Sequence, residues 1–534
     1  MIILSFALAM LVTTVTLPPL RKHAQILGLI DSPTELRKVH TESIPHSGGV
    51  GIATGVLVAS IAWLPKDATL LPLIGSVAAV FALGLLDDIR DLGHRVKFAG
   101  QALAAAMLLA SYGGFPNIPF IPLGVELPML SLAFSFLFLL AVTNAVNLSD
   151  GLDGLAAGNG LISLIVLAFF AAHAGETSYL VLTLAMAGGL VGFLRFNSHP
   201  ASMFMGDTGS QFIGFVSGAL CILIMQSDRL PFSPMVPILV FGLPLLDTVS
   251  VMAIRKLRGR PMFVADRSHL HHQLLRLGFL HYEVVALLYL LQAIYIGLAY
   301  VLRHNSDSTV LFAYLIFSAA ILSLILLGRI ANWRVRPLPH AENNERRNLH
   351  FRRLSWFHHN TARVLALTIG AFLLFHCVQA KWPTQAPSYW LWMLVVALSL
   401  LWVVGANNMA LVARTICFVA CPAAVYGALS TTGSEEWYRW SDIYVGGLAM
   451  ALVLAIRVTR RSLFQLGSHD YLILVIIGIT PLLLPSGIQG WSATRLVLYL
   501  AVLLYGCEYI ATKGNRTRWL VSAIGIACIA ALSV

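Results

Sequence analysis

The chain has 534 residues, of which 58% are hydrophobic and only 11% charged, and its mean hydropathy is +0.80. Those figures exclude a soluble globular protein of ordinary charge content. Apolar runs of the ~20 residues that cross a bilayer as helix recur from end to end, about eighteen in all, and the alternating pattern of a membrane barrel is absent, so the chain reads as an all-α polytopic integral membrane protein. The formal charge of +11 does not point to nucleic acid, because lysine and arginine collect in alternate loops. By the positive-inside rule that places the amino terminus outward in a plasma (inner) membrane.

In chain order the expected helices are Met1 to Leu17, Gly48 to Leu64, Ala68 to Leu86, Phe98 to Ser111, Pro128 to Ala145, Leu155 to Ala172, Ser178 to Leu194, Ser210 to Gln226, Pro234 to Ile254, Glu283 to Leu302 and Thr309 to Leu327. The first lacks a basic leader and a small-residue cleavage site and is read as a retained helix. An arginine-rich stretch follows, and beyond it come about seven more apolar runs. The expected division is a catalytic region at 1–330, a basic cytoplasmic linker at 331–360 and an accessory membrane region at 361–534. The six cysteines lie in apolar stretches without a CxxC pair and are read as packing residues.

Five polar clusters break the apolar pattern, and ionisable groups gathered at membrane-helix ends mark a site. DSPTELRKVHTESIPHSGG offers Lys38 and the Gly48, Gly49 pair, whose backbone N–H groups are expected to approach a phosphate. GLLDDIRD places Asp87, Asp88 and Asp91 after the third helix, with Asp87 and Asp91 on one face, and such hard oxygen ligands suit Mg²⁺ or Mn²⁺. NAVNLSDGLDG repeats Asn144, Asn147, Asp150 and Asp153 at every third position, with glycines that allow a polar ligand to approach closely. In FMGDTGS, Asp207 precedes a helix whose free N–H groups form an anion site, so that metal and phosphate would be neighbours. DRSHLHH sets His269, His271 and His272 among arginines including Arg276. No carboxylate or cysteine stands at zinc spacing, so a grip on phosphate is expected.

With NSHPASMFMGDTGS and HLHHQLLRLG, these motifs resemble, in order, those of the polyprenyl-phosphate N-acetylhexosamine-1-phosphate transferases, over about Asp31 to Gly278. The DDIRD and HLHH forms are closer to the N-acetylglucosamine branch than to the phospho-MurNAc-pentapeptide branch, while NSHPA is similar to the latter. The resemblance implies transfer of a sugar 1-phosphate, N-acetylglucosamine 1-phosphate foremost, from a UDP-sugar to undecaprenyl phosphate at the cytoplasmic face, with release of UMP. The product would initiate a lipid-linked cell-envelope glycan.

The partners implied are a UDP-N-acetylhexosamine, undecaprenyl phosphate and membrane lipid, with a homodimer left open. The cofactor implied is Mg²⁺, with Mn²⁺ as alternative. The resemblance casts Asp207, Asp87 and Asp88 as metal-holding or nucleophile-activating acids. Asn144, Asn147, Asp150, Asp153, Asn197 and Asp91 would hold the nucleotide sugar, and Lys38, Lys97, His269, His271, His272 and Arg276 would clamp phosphates. The rival expectation is a transporter or a lipid carrier without transferase activity.

Overall fold

A computed structural model describes residues 2–31, 44–64, 68–122, 125, 127–259 and 268–335, and in the carboxyl-terminal third 364–373, 435–458, 493–511 and scattered helical positions. Lys38, nearly all of the linker at 331–360 and most of the region at 361–534 lie outside the described residues.

Up to residue 335 the described chain forms thirteen helices. They are α1 (Ile2–His23), α2 (Gly48–Trp63), α3 (Leu71–Arg90), α4 (His94–Tyr112), α5 (Pro128–Leu148), α6 (Leu155–Ala174), α7 (Thr177–Asn197), α8 (Gly206–Met225), α9 (Val236–Val240), α10 (Gly242–Leu257), α11 (Leu270–Arg276), α12 (His281–Val301) and α13 (Asp307–Ile330). Two short antiparallel strands, β1 (Ile30–Asp31) and β2 (Ile44–Pro45), tie the two sides of the first loop together. Eight of the described helices are long and apolar enough to cross a bilayer, so the protein passes through the membrane several times.

The helix ends alternate. The last turns of α3, α5 and α7 and the first turns of α4, α6 and α8 meet on one face of the bundle, where Asp87, Lys97, Asn147 and Asp207 converge and Asn197 meets the start of α6. The axis of the bundle is α8, in which every residue from Thr208 to Met225 is buried. Against it pack α2, α3, α5, α6 and α7. Close approach requires glycine here: a Cβ on Gly84 of α3 would come within 2.6 Å of the Thr208 backbone. That contact brings the end of α3 directly onto the start of α8.

Several helices extend further toward the site than the apolar pattern predicts, because polar residues of the clusters continue the turns. Helix α3 runs on to Arg90, α4 starts at His94 and α8 starts at Gly206. The single helix expected at Pro234 to Ile254 is two, broken at Phe241 (φ −111°, ψ 29°). Pro244 cannot donate to the carbonyl of Val240, four residues earlier. That carbonyl instead accepts from Ser163 Oγ (2.8 Å) and Gln292 Nε2 (2.8 Å), while Gln292 Oε1 accepts from Leu243 N (3.1 Å). The carbonyl and the N–H released at the break are therefore hydrogen-bonded inside the bundle. Beyond residue 363, α14 (Val364–Leu373), α15 (Glu435–Val458) and α16 (Ala493–Ala511) contribute to a second apolar cluster around Ile369, Leu448 and Leu503.

Candidate active site

Two residues at the centre of the polar face stand at helix ends that their charge disfavours: Asp87 in the last turn of α3 and Lys97 in the first turn of α4. They pair with each other. Lys97 Nζ lies 2.5 Å from Asp87 Oδ2 and 3.1 Å from Asp207 Oδ2, so one ammonium bridges two carboxylates. Asp207 stands in the favoured first turn of α8 and is held from the other side by Asn147, which donates to Asp207 Oδ1 (2.5 Å) and to Ser210 Oγ (2.8 Å). Asp87 Oδ1 also accepts from Leu92 N (2.8 Å).

Asp88 has a different task from the metal-holding one expected of it. Its Oδ1 accepts from Asp207 N (2.7 Å), and its Oδ2 accepts from Thr208 N (3.0 Å) and Thr208 Oγ1 (2.5 Å). It caps α8 from another helix and so fixes Asp207. The anion site expected at the start of α8 is therefore filled by this carboxylate. The glycines of IPHSGG are likewise engaged, with Gly48 N donating to Phe204 O (3.0 Å) and Gly49 N to Met205 O (2.9 Å), which removes them as phosphate donors. Asp91 does not share a face with Asp87: it ends α3 in a left-handed conformation (φ 49°) and is exposed.

The repeated acids and amides between α5 and α6 separate by depth. Asn144 faces inward, donating to Gln101 Oε1 (2.7 Å) and Leu140 O (2.8 Å). Asp153 is buried and accepts from His199 Nδ1 (2.7 Å) and Ala201 N (3.0 Å). Asn197, expected as a substrate contact, has both ends occupied: Gly154 N donates to its Oδ1 (2.9 Å) and its Nδ2 donates to Met203 O (3.0 Å). These residues shape the turn, and Tyr289 Oη supports it by donating to Gly154 O (2.6 Å). Asp150 lies close enough to Asp207, Asp153 and Asp88 for their charges to act on it. Burial, followed by the charges of Asp207, Asp153 and Asp88, pushes its carboxyl up to about 7.

The histidine cluster is oriented by Asp247, which the sequence reading missed. From within α10, its Oδ2 pairs with His269 Nδ1 (2.9 Å) and its Oδ1 accepts from Leu270 N (2.7 Å). That joins α10 to α11 and leaves His269 Nε2 as the ring's second position. His271 is buried against the acidic turn; a Cβ on Gly151 would come within 2.5 Å of its ring. Burial and the neighbouring His272 hold His271 down to about 3, so it is a neutral imidazole at physiological pH and would meet phosphate only as an N–H donor. His272 lies beside it with ring centroids 4.2 Å apart, and Arg276 is exposed at the end of α11.

The family described as Glycosyl transferase family 4 matches residues 70–225, from the start of α3 to the end of α8. A Bacillus subtilis (strain 168) protein named "Probable undecaprenyl-phosphate N-acetylglucosaminyl 1-phosphate transferase" is 34% identical over 306 residues, 57% of this chain and 85% of the relative. The chain belongs to the polyprenyl-phosphate N-acetylhexosamine-1-phosphate transferase family. Two further relatives in this transferase family are a decaprenyl-phosphate N-acetylglucosaminephosphotransferase of Mycobacterium tuberculosis (strain CDC 1551 / Oshkosh) and a phospho-N-acetylmuramoyl-pentapeptide-transferase of Shouchella clausii (strain KSM-K16). The first is 35% identical over 53% of this chain and 78% of the relative, the second 32% identical over 55% and 96%. The matched span carries Asp87, Lys97, Asn147, Asp150 and Asp207 together.

As a cation site for such a transferase, the donors that fit are Asp87 and Asp207. Both aim an oxygen at one point, where the Lys97 ammonium acts as a stand-in cation. Hard carboxylate oxygens suit a small divalent ion. Asp88 is turned away from that point, with its oxygens accepting from the first turn of α8.

Proposed function

We propose that the protein transfers N-acetylglucosamine 1-phosphate, as the foremost N-acetylhexosamine 1-phosphate, from a UDP-sugar to undecaprenyl phosphate at the cytoplasmic face of the inner membrane. UMP is released, and the product initiates a lipid-linked cell-envelope glycan. The observation that carries this reading is the convergence of Asp87, Lys97 and Asp207 at the end of apolar helices, where a lipid phosphate and a soluble diphosphate can meet. The names of the relatives support the sugar and the acceptor class.

In the reaction, an oxygen of the lipid phosphate attacks the sugar-bearing phosphorus of the nucleotide sugar. A new diphosphate bond forms, the bond from that phosphorus to the bridging oxygen breaks, and UMP leaves with that oxygen. The lipid phosphate, with a second pKa near ~6, is already largely ionised and needs no strong general base. The difficulty is repulsion between anions, and positioned positive charge relieves it. Bound Mg²⁺ or Mn²⁺ on Asp87 and Asp207 would supply Lewis-acid neutralisation of the phosphate oxygens. Lys97 offers its ammonium to phosphate charge, Asn147 holds Asp207 in place, and Asp150 in its protonated form donates to a polar group of the nucleotide sugar. His269 presents Nε2 while Asp247 fixes its other nitrogen.

Purified protein with a panel of UDP-sugars, undecaprenyl phosphate and Mg²⁺ should yield a lipid diphosphate-sugar identified by mass. Asp207→Asn should lower turnover at least ~10²-fold, comparable to losing one strong electrostatic stabiliser. Counterflow of labelled substrate without any lipid product would instead support a transporter. The gathering of the acids at one end of the bundle, and not at mid-depth, argues against that rival.

A further inference from the structure

One helical turn, ~5.4 Å, deeper than the charged residues lies a second polar layer. Each member shares a helix with a site residue. Gln101 is four residues after Lys97 on α4, Gln211 is four after Asp207 on α8, and Asn144 is three before Asn147 on α5. Gln101 is 1% exposed and Gln211 fully buried, inside otherwise apolar helices, where an unpaired amide costs several kcal/mol.

The three amides form one chain. Asn144 Nδ2 donates to Gln101 Oε1 (2.7 Å), Gln101 Nε2 donates to Gln211 Oε1 (3.0 Å), and Gln211 Nε2 approaches Asp87 Oδ2 (3.4 Å). Its direction is fixed at the far end, because Asn144 Nδ2 also donates to the Leu140 carbonyl, which can only accept. Each amide must then turn its oxygen toward Asn144 and its NH₂ toward Asp87. Reversal would place an amide oxygen against a carboxylate oxygen. Asp87 thus receives a donor from below, Lys97 from the side and Leu92 N from behind.

We propose that Asn144, Gln101 and Gln211 form a directional amide relay that positions the Asp87 carboxylate for the cation and the phosphates. This rests on Asp87 serving the reaction centre as proposed above. The three are positioning residues, acting only through Asp87. Gln101, which does not touch Asp87, sets the orientation of the amide that does.

The test is a double-mutant cycle on Gln101→Leu and Gln211→Leu, in purified full-length protein checked for monodispersity. Two readouts are taken: Mn²⁺ affinity by electron paramagnetic resonance, which needs no turnover, and kcat with KM for the UDP-sugar. Each single variant should weaken Mn²⁺ binding and lower kcat about tenfold, with KM unchanged within about twofold, the size seen when groups orienting a metal ligand are removed. The double variant should be no worse than Gln211→Leu alone. Gln292→Leu, which removes another buried amide bonded to Val240 and Ser163, should cost thermal stability and leave Mn²⁺ affinity intact.

Additive losses, or losses of stability alone with Mn²⁺ affinity and kcat retained, overturn the relay. Wild-type protein that binds Mn²⁺ but forms no lipid product sinks the proposed function, while the cycle on Mn²⁺ affinity still decides the relay. Wild-type protein that does neither removes Asp87 from any reaction centre, and the relay with it.

Discussion

Asp150 offers a direct measure of how strongly the site's carboxylates act on one another. Its carboxyl is raised from the usual 3.8 to about 7, by burial first and then by Asp207, Asp153 and Asp88. A shift of about three units corresponds to roughly 4 kcal/mol between the two protonation states. In the unfolded chain the group loses its proton near ~4, whereas in the folded protein it keeps it to about 7. The native state therefore binds more protons across that window, and stability falls as pH rises through it, by up to about 4 kcal/mol. Asn at this position imitates the protonated acid and removes the contribution. Unfolding of purified protein in detergent, followed by intrinsic fluorescence between pH 5 and ~8, should show the wild-type midpoint falling by on the order of 5 °C more than that of Asp150→Asn. Added Mg²⁺ should flatten the wild-type slope, because cation bound near Asp207 relieves part of the repulsion. Parallel curves for the two proteins without Mg²⁺ would refute the reasoning.

Lys97→Met leaves Asp87 and Asp207 without their shared ammonium; it should lower turnover at least ~10²-fold and reduce stability by about 2 kcal/mol, with thermal unfolding partly restored by Mg²⁺. Asp247→Asn weakens the hold on His269 and should cost turnover about tenfold, measured as lipid product per folded molecule. Arg276→Cys, at an exposed position in a cysteine-free background, should react with an impermeant thiol reagent in inverted vesicles and not in intact cells, and labelling in intact cells would place the histidine loop outside. A chain ending near His340 should still transfer sugar phosphate in detergent; monodisperse truncated protein that binds UDP-sugar without forming product would make the carboxyl-terminal third part of the catalytic unit.

Period and length gave the bundle its helices, and isolated acids in apolar surroundings marked the site. Those signals are local. Asp88 and Asp207 are both visible in the sequence, but only the close approach of α3 to α8 at Gly84 reveals that one caps the other. The partners of Asn197 and Asp153 were not legible, because a polar residue written in one dimension carries no record of which groups it satisfies: Gly154 N and Met203 O for the first, His199 and Ala201 N for the second. Asp247, Gln101 and Gln211 were missed although a signal existed: each is a polar residue within an apolar run, and both glutamines stand one turn from a charged site residue. The break at Phe241 was also legible, since Pro244 removes a donor from the middle of a long apolar stretch.

The cap that Asp88 places on α8 spans 119 positions of sequence. A growing chain emerges from its amino terminus, so α3 and α4 enter the membrane with Asp87, Asp88 and Lys97 long before Asp207 exists to receive them. Lys97 and Asp87 can neutralise each other at once, but Asp88 cannot find its partners until the first turn of α8 has been made. Arrival of α8 at the centre of the bundle is thus the event that closes the reaction centre. Until then the Asp88 carboxylate, in the last turn of α3, has only water to supply the donors that the start of α8 later provides.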